Sequence, residues 1–316
     1  MKLIEPNVEM LSYYMNPLIK VEKIGRICYK SDSEYTEETA IKFINSLITR
    51  QHFSVLEHAN FVFLVDNLSG YPFKFVDTTI VVEGDNKVRC LMSTNLRAII
   101  EHRYTRLMVA VLERYPMLHD IFIGLCPELE HKDIREAYKS QVRLIDISDI
   151  EDIDFNEIKN HFYTTFLFTT DRGVTHEMVR HRIASFTQES TRYCNYSNDK
   201  FGNELTFIKP ATFDDWTESQ KEDYLSLLSY SEKQYMSLTG SGLPAQFARG
   251  VLPTDVKTTI AMTANHKEWE HFFNLRSRAK TGAPHPNMKV VANQAEKIYH
   301  SNTALYAELF SKSMNK

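Results

Sequence analysis

The stretch DRGVTHEMVRHRIASFTQESTRY, residues 171–193, decides how the rest of the chain is interpreted. It concentrates four arginines and two histidines in a protein whose formal net charge is -4. Arginine side chains suit phosphate and carboxylate groups, because two parallel N–H donors match two oxygens. The residue types therefore predict an anion site, and a solvated basic helix end is the alternative, since cations also complement a helix C-terminus.

The stretch divides into two halves with different composition. We expect the first half to be a helix that opens at Gly173 and Thr175. We expect that helix to deliver Arg180, His181 and Arg182, and we expect the Ser-, Thr- and Gln-rich second half, from residue 185, to be a loop.

Composition and charge narrow the class of protein. The chain has 316 residues, of which 43% are hydrophobic and 25% charged, as is usual for globular proteins. No apolar run approaches the roughly 20 residues that span a bilayer, and the N-terminus does not resemble a secretory signal, so we expect a soluble cytoplasmic protein without membrane contact. The net charge argues against general nucleic-acid binding. The four cysteines are scattered and form no CxxC pair, which disfavours structural zinc and a disulfide framework.

Two histidine-containing segments must be weighed as metal sites. His52 and His58 flank Ser54 and Glu57, but the inverted zinc motif needs a histidine where Ser54 stands. That segment is interpreted as a capping loop, or else as a loop that contacts a cofactor. His176 and His181 are five residues apart and would point about 140° apart on a helix, so no metal is predicted.

The flanking segments show helix and strand patterns in turn. The predicted helices run from Thr36 to about Arg50, over 95–114, over 265–278 and from about 287 to 312. The predicted strands cover 60–65, 162–170 and 256–262, and a hairpin of 78–83 and 88–93 turns around Gly84-Asp85-Asn86. Residues 146–154 are predicted to be a solvated acidic connection. This alternation predicts a mixed α/β (α+β) fold with a mostly antiparallel sheet flanked by helices.

Four segments in order resemble the flavin-dependent thymidylate synthases. They are the arginine-rich signature 180–192, the loop 52–58, the segment Leu243-Pro244 through Arg249 to Leu252-Pro253, and the segment from Asn265 through Phe273-Asn274-Leu275-Arg276. The resemblance covers about residues 20–65 and 161–300. It implies reductive methylation of dUMP to dTMP, with 5,10-methylenetetrahydrofolate as carbon donor and NADPH as electron source through FAD.

The resemblance also implies roles for individual residues. The residues implied to contact FAD are Cys28, His52, Ser54, Glu57, Arg180, His181, Arg182, Asn265 and His271. The residues implied to bind dUMP are Glu177, Arg180, Ser190, Arg192, Arg249 and Arg276. Among these, Ser190 and Arg276 are the candidate catalytic residues: Ser190 by positioning the nucleotide, and Arg276 by stabilising negative charge on the uracil.

The residue types agree with chemistry that uses a flavin. The classical thymidylate synthases activate uracil with a cysteine, and no cysteine here lies in a motif that would supply one. Cys194 is nearest to the signature and is interpreted as an inert thiol. Ser190 is a weak candidate for a covalent nucleophile, because its charged neighbours are arginines rather than a base.

Three features depart from the family pattern. Glu177 stands where some members have a glutamine that contacts the nucleotide, so it either approaches the nucleotide or pairs with Arg180 and His181. Cys28 stands where some members have serine. Residues 66–160 are interpreted as an insertion of unknown role in a single catalytic domain, 1–316. The family implies a homotetramer with FAD at subunit interfaces, and the alternative function is a catalytically inactive nucleotide- or RNA-binding relative.

Overall fold

The protein alternates short strands with helices along the chain. The computed structural model describes residues 1–12, 15–66, 77–83, 87–139, 141–146, 158–198 and 202–313. Within these ranges the strands are β1 (Lys2–Ile4), β2 (Asn7–Leu11), β3 (Asn60–Asp66), β4 (Asp77–Glu83), β5 (Lys87–Asn95), β6 (Val142–Ile145), β7 (Tyr163–Asp171), β8 (Ser185–Gln188), β9 (Thr206–Ile208) and β10 (Lys257–Asn265). The α-helices are α1 (Pro17–Ile27), α2 (Glu37–Thr49), α3 (Leu96–Glu101), α4 (Thr105–Arg114), α5 (His119–Leu125), α6 (Lys132–Lys139), α7 (Arg172–Met178), α8 (Glu218–Gly240), α9 (Ala245–Ala248), α10 (His266–Arg276) and α11 (Pro286–Ser313).

The strands form two four-stranded antiparallel sheets and one small parallel pair. The first sheet, here called the site sheet, has the order β2-β7-β10-β8, and the second sheet has the order β4-β5-β3-β6. Of the strands in the described ranges, only β1 and β9 pair in parallel. The prediction of a mixed fold with a mostly antiparallel sheet flanked by helices is therefore confirmed.

The core of the site sheet fixes the helix that carries much of the site. Asn265 ends β10 and caps α10, because its side-chain oxygen accepts a hydrogen bond of 3.0 Å from the Glu268 backbone N–H. Trp269 and Phe272 of α10 are fully buried against Phe166 and Phe168 of β7. Each buried aromatic side chain contributes roughly 1.5–3 kcal/mol, so α10 is firmly held on the sheet.

The core of the second sheet includes α1 and α2. Thr36 caps α2 in a capping box with Thr39, as the sequence predicted. The two helices approach closely at Gly25, where an added Cβ would lie 2.5 Å from the Phe43 ring. Glycine at this position allows α1 to pack tightly, and Leu18 and Val21 on its buried face join the core.

Three predictions in residues 171–193 are wrong. Asp171, not Gly173 or Thr175, opens α7, because its carboxylate accepts a 2.7 Å bond from the Val174 N–H. The helix ends at Met178, before the arginine motif, and residues 185–188 form β8 rather than a loop. The physical reason is tertiary: β8 finds its hydrogen-bond partners on β10, so the chain must leave the helix early to reach that edge.

The structure also corrects a prediction outside this stretch. The single helix expected over 95–114 is two helices, α3 and α4, because Arg103 between them has a left-handed backbone with φ of 49°. The hairpin strands β4 and β5 pair as predicted, whereas the turn 84–86 lies outside the described residues, as does the part of the acidic connection from 147 to 154. None of the helices in the described ranges is long and apolar enough to cross a membrane.

Candidate active site

The arginine motif lies in a turn that separates its side chains. His181 is buried, with 4% of its surface exposed, whereas Arg180 and Arg182 on either side of it are exposed. Backbone bonds from Arg180 to Glu177 and from His181 to Met178 close this turn after α7. The motif therefore presents two guanidinium groups outward and one imidazole inward.

The imidazole of His181 is held between two charged groups. Its Nδ1 lies 2.9 Å from Glu268 Oε1, and Arg276 Nε donates to its Nε2 at 3.3 Å. A guanidinium can only donate, so Nε2 carries the lone pair and Nδ1 carries the proton that Glu268 accepts. Glu268 thus selects the neutral tautomer that can accept from Arg276.

Arg276 is further fixed by the end of α7. Its Nη1 donates to Glu177 Oε2 at 2.8 Å, and its Nη2 donates to the Glu177 carbonyl at 3.3 Å. Glu177 therefore pairs with Arg276, and not with Arg180 and His181 as one interpretation of the sequence expected. That interpretation assumed a helix that continued past residue 180, whereas α7 stops at Met178.

His271 of α10 completes a first cluster of site residues. This cluster comprises Glu177, His181, Glu268, His271 and Arg276. His271 is exposed, and its ring centroid lies 5.5 Å from that of His181. Ligand atoms of His181, Glu268 and His271 lie within 4.8 Å of one another, close enough to share a metal ion. However, both nitrogens of His181 are engaged, one by Arg276 and one by Glu268, so its lone pair already has a donor.

A second cluster forms around Ser190 and comprises Cys28, Ser190, Thr191, Arg192 and Arg249. The Ser190 N–H donates to the Cys28 carbonyl at 3.2 Å, and Ser190 Oγ accepts from the Arg192 N–H at 3.2 Å. Arg249 Nη1 donates to Thr191 Oγ1 at 3.4 Å. The structure thus brings together Ser190, Arg192, Arg249 and Cys28, which come from three distant parts of the sequence.

The base of this second cluster is a buried carboxylate that the sequence analysis did not select. Glu189 is 1% exposed and accepts bonds from Lys257 Nζ at 2.9 Å and from the Tyr196 hydroxyl at 2.7 Å. Lys30 Nζ approaches the same carboxylate at 3.5 Å. Burial, followed by the Glu189 charge, raises the pKa of Tyr196 well above its usual range, so the phenol remains a donor. The adjacency of Glu189 to Ser190 was the available sequence signal, but its lysine partners are remote in sequence.

The predicted cofactor loop is a 3₁₀ helix, Phe53–His58, and its last residue, His58, holds it against the site sheet. His58 is fully buried, with Nδ1 2.7 Å from Thr263 Oγ1 and Nε2 3.0 Å from Thr187 Oγ1. Burial, with a smaller effect from the Lys20 charge, lowers the pKa of His58 to about 3. The neutral imidazole therefore ties this loop to β10 and β8.

The predicted cofactor residues of that loop differ in environment. His52 and Ser54 are exposed, which leaves them accessible to a ligand. Glu57 is half-buried and its Oε1 lies 2.6 Å from Arg97 Nη1. The loop, Asn265 at the start of α10 and the arginine motif all lie at the site sheet, because β8 and β10 are adjacent strands.

The thiols near the site are not poised as nucleophiles. Burial raises the pKa of Cys28 to about 11, although a backbone hydrogen bond opposes this shift. Cys194 is fully buried with its Sγ 3.5 Å from the Cys28 carbonyl. All four cysteines are free, and the raised pKa of Cys28 means that its thiol is not a reactive thiolate near neutral pH.

Apolar side chains are exposed beside the arginines. Ile183 is 74% exposed and Val179 38% exposed, and they flank Arg180 and Arg182. Tyr193 is 54% exposed, and the Arg192 guanidinium carbon lies 5.7 Å from its ring centroid. The surface around the motif therefore combines cations with apolar area, which is typical of a surface that binds a ligand or another chain.

The chain belongs to the family described as thymidylate synthase complementing protein, Thy1, whose model matches residues 9–73 and 129–301. The match includes the arginine motif and both clusters, and it leaves residues 74–128 unmatched. The resemblance inferred from the sequence is therefore confirmed at the level of the family.

The chain is also similar to individual proteins. It is 31% identical over 145 residues to the flavin-dependent thymidylate synthase of Geobacter sulfurreducens, covering 46% of this chain and 60% of that protein. It is 36% and 39% identical over 117 residues to the enzymes of the same name from Pyrococcus furiosus and Pyrococcus horikoshii, covering 36% of this chain and 47% of each relative. The chain thus spans about half the length of the curated relatives it matches.

A comparison of structures finds a UMP/dUMP methylase, PolB, from Streptomyces cacaoi. In its complex with 5-Br dUMP it is 16% identical to this chain, with a TM-score of 0.42, and the alignment covers 99% of this chain and 97% of PolB.

Proposed function

We propose that the protein is a flavin-dependent thymidylate synthase that converts dUMP to dTMP. The carbon donor would be 5,10-methylenetetrahydrofolate, and NADPH would provide the electrons through FAD. The observation that carries this proposal is the orientation of Arg276, which Glu177 and the His181–Glu268 pair hold beside the arginine motif. Family membership and the names of the relatives support the same reaction.

The donor set around the motif fits FAD. Among the residues that the structure describes, neither Arg180 nor Arg182 has a carboxylate partner, and both are exposed. Two unpaired guanidinium groups suit the pyrophosphate of a dinucleotide. His52, Ser54, Glu57, Asn265, His271 and Cys28 remain the other residues proposed to border FAD.

When bound, FAD would supply the hydride that activates the uracil ring, so that no cysteine nucleophile is needed. The high pKa of Cys28 supports this view because its thiol would not ionise readily, and the full burial of Cys194 keeps that thiol away from a ligand. Ser190 would then act by positioning, since its hydroxyl already accepts from the Arg192 N–H and no base lies against it in the described contacts.

The second cluster supplies the residues proposed to hold dUMP. Arg249 donates to Thr191, Arg192 follows Thr191 in the chain, and both arginines are exposed, which suits a phosphate monoester. Ser190 lies between them and the Cys28 carbonyl. Glu189 with its two lysines would keep this loop in place while the arginines bind the nucleotide.

Arg276 retains donors for the uracil. A guanidinium has five N–H groups, and three are used by His181 and Glu177, which leaves two. Two preorganised donors can stabilise negative charge on the uracil without reorganisation during the reaction. Glu177 would thus act by holding Arg276 rather than by contacting the nucleotide directly.

We further propose that the protein acts in the cytoplasm as a homotetramer with FAD at subunit interfaces. The exposed Ile183, Val179 and Tyr193 beside the motif support an interface there, because a partner subunit would cover them. Residues 66–160 would be an insertion in one catalytic domain. The family model supports an insertion only for residues 74–128, because it matches 66–73 and 129–160 at the two ends of this segment.

The test is a visible absorption spectrum of the purified protein, reconstituted with FAD and titrated with dUMP. We expect flavin bands that shift with dUMP but not with dCMP, and dTMP formation that requires both NADPH and the folate. Flavin binding without a dUMP response would refute the substrate. Absence of flavin binding would favour the inactive nucleotide- or RNA-binding relative, for which strongly salt-dependent RNA binding is the diagnostic.

A further inference from the structure

A pocket of about 290 Å³ lies at the N-terminal end of α1 and belongs to neither cluster. Its lining includes Lys20 of α1, Phe61 of β3, Arg114 of α4 and Tyr163 of β7. Cys28 lies just past the other end of α1, and this helix of 11 residues is about 16 Å long. The pocket is therefore remote from the proposed nucleotide site.

Lys20 is the unusual residue in this pocket. Its surface is only 9% exposed, yet among the residues that the structure describes its ammonium has neither an ion pair nor a hydrogen bond. Lys20 nevertheless lines the pocket, so a ligand in the pocket can reach its side chain. Burial lowers the pKa of Lys20 to about 8. A buried ammonium without a partner is costly, and a bound anion would remove that cost.

The charges around the pocket favour a single negative charge. Arg114 Nη2 lies 3.3 Å from Asp146 Oδ2, so these two lining residues neutralise each other. Lys20 has no carboxylate within ion-pair distance in the described ranges, although Glu37, which accepts a hydrogen bond from the lining residue Asn16, adds a second negative charge nearby. The start of α1 adds to this preference, because the N-terminal end of a helix dipole is positive.

Two aromatic rings lie within pocket walls that are otherwise more polar than apolar. Phe61 and Tyr115 both line the pocket, and their ring centroids are 5.9 Å apart. Tyr163 and Leu144 contribute further apolar surface. Ligand pockets commonly have about 300–1,000 Å³, so a volume at the low end of this range suits a single ring. We propose that the pocket binds a small aromatic monocarboxylate, with Lys20 as the carboxylate partner.

The experiment titrates the full-length protein with benzoate, observed by ligand NMR or calorimetry. A ligand of this size should bind with a Kd of roughly 10 mM or tighter. Lys20→Met, which keeps the length of the side chain without its charge, should weaken benzoate binding about tenfold or more. Lys20→Arg should retain binding. Lys23→Met is the matched control on the next turn of α1 and should bind as the wild type does.

Two further measurements use the wild type and do not depend on whether a variant folds. Benzamide, the neutral isostere, should bind about tenfold more weakly than benzoate. Inorganic phosphate at equal concentration should not displace benzoate. Equal binding of benzamide, displacement by phosphate, no saturable benzoate binding, or unchanged binding to folded Lys20→Met would each overturn the proposal.

Discussion

The site sheet and the second sheet differ in whether a buried charged side chain beside them has a partner of opposite charge. Beneath the Ser190 loop, the Glu189 carboxylate is matched by Lys257, Lys30 and the Tyr196 hydroxyl. Beside the second sheet, Lys20 is buried and has no ion pair or hydrogen bond to the described part of the chain. In the first arrangement the carboxylate is fully paired, and it stabilises the Ser190 loop. In the second arrangement the buried charge lacks a close counter-charge among the described residues, which is costly unless a bound anion supplies one.

The largest change in stability should come from removing a partner of the buried Glu189 carboxylate. Lys257→Met leaves the buried Glu189 carboxylate with Lys30 at 3.5 Å and the Tyr196 hydroxyl. We expect the free energy of unfolding to fall by about 3–5 kcal/mol, because an underpaired buried charge is costly. Chemical denaturation at matched protein concentration measures this. The double variant Glu189→Leu with Lys257→Met should recover much of the loss, and an unchanged midpoint for Lys257→Met alone would contradict the comparison.

The next largest effect is expected on turnover. Arg276→Ala should lower kcat by about 10²–10³, the usual cost of removing a donor to a developing anion. Arg276→Lys keeps the charge but cannot make the three bonds to Glu177 and His181, so it should rescue only part of the activity. Steady-state dTMP formation is the assay. Wild-type kcat in Arg276→Ala, with flavin bound, would remove Arg276 from the mechanism.

Nucleotide affinity tests the exposed side of the second cluster. Arg192→Ala should weaken dUMP binding about 10- to 100-fold, as expected for the loss of a charged hydrogen bond. Stability should change little, because Arg192 is exposed and Glu189 still anchors the loop. Calorimetric titration with dUMP gives the affinity. Arg135→Ala on α6 is the matched control, and equal weakening in both variants would indicate an unspecific charge effect.

A pH experiment tests the connection between the two sheets through His58. Because burial lowers its folded-state pKa to about 3, the unfolded chain takes up a proton first as the pH falls below about 6.5. Stability from neutral His58 is therefore complete above that value and decreases on acidification, by about 2 kcal/mol at about pH 5. Denaturation curves of the wild type and His58→Gln should converge by this amount between neutral and acidic pH. Parallel curves would mean that His58 is not held neutral.

The smallest effect is expected at an exposed ion pair near the second sheet. Arg97 contacts Glu57 at 2.6 Å and Glu101 at 3.0 Å, but its side chain is 37% exposed. Arg97→Ala should change the free energy of unfolding by less than about 1 kcal/mol. Thermal unfolding of Arg97→Ala and Lys257→Met under the same conditions compares the two losses of stability directly. A loss as large as that of Lys257→Met would show that exposure does not separate the two pairs.

Local sequence patterns predicted most of the elements. The capping box at Thr36, the strand at 60–65, the paired hairpin strands and the helix that follows Asn265 were all confirmed. These features depend on interactions within a few residues, which local sequence encodes. The end of α7 and the strand β8 were missed, because β8 depends on its pairing with β10, about 75 residues later.

The candidate site likewise has features that the sequence determined and features that only the tertiary structure decided. Sequence alone determined the family, through a spaced set of arginines, histidines and a serine whose identities are recognisable wherever they fold. Only the tertiary structure decided that Glu268 selects the His181 tautomer, that Glu177 holds Arg276, that Glu189 meets Lys257 and that Lys20 has no partner among the described residues. Hydrogen bonds and ion pairs act over a few ångströms between residues up to about a hundred positions apart, so their partners exist only once the sheets have packed.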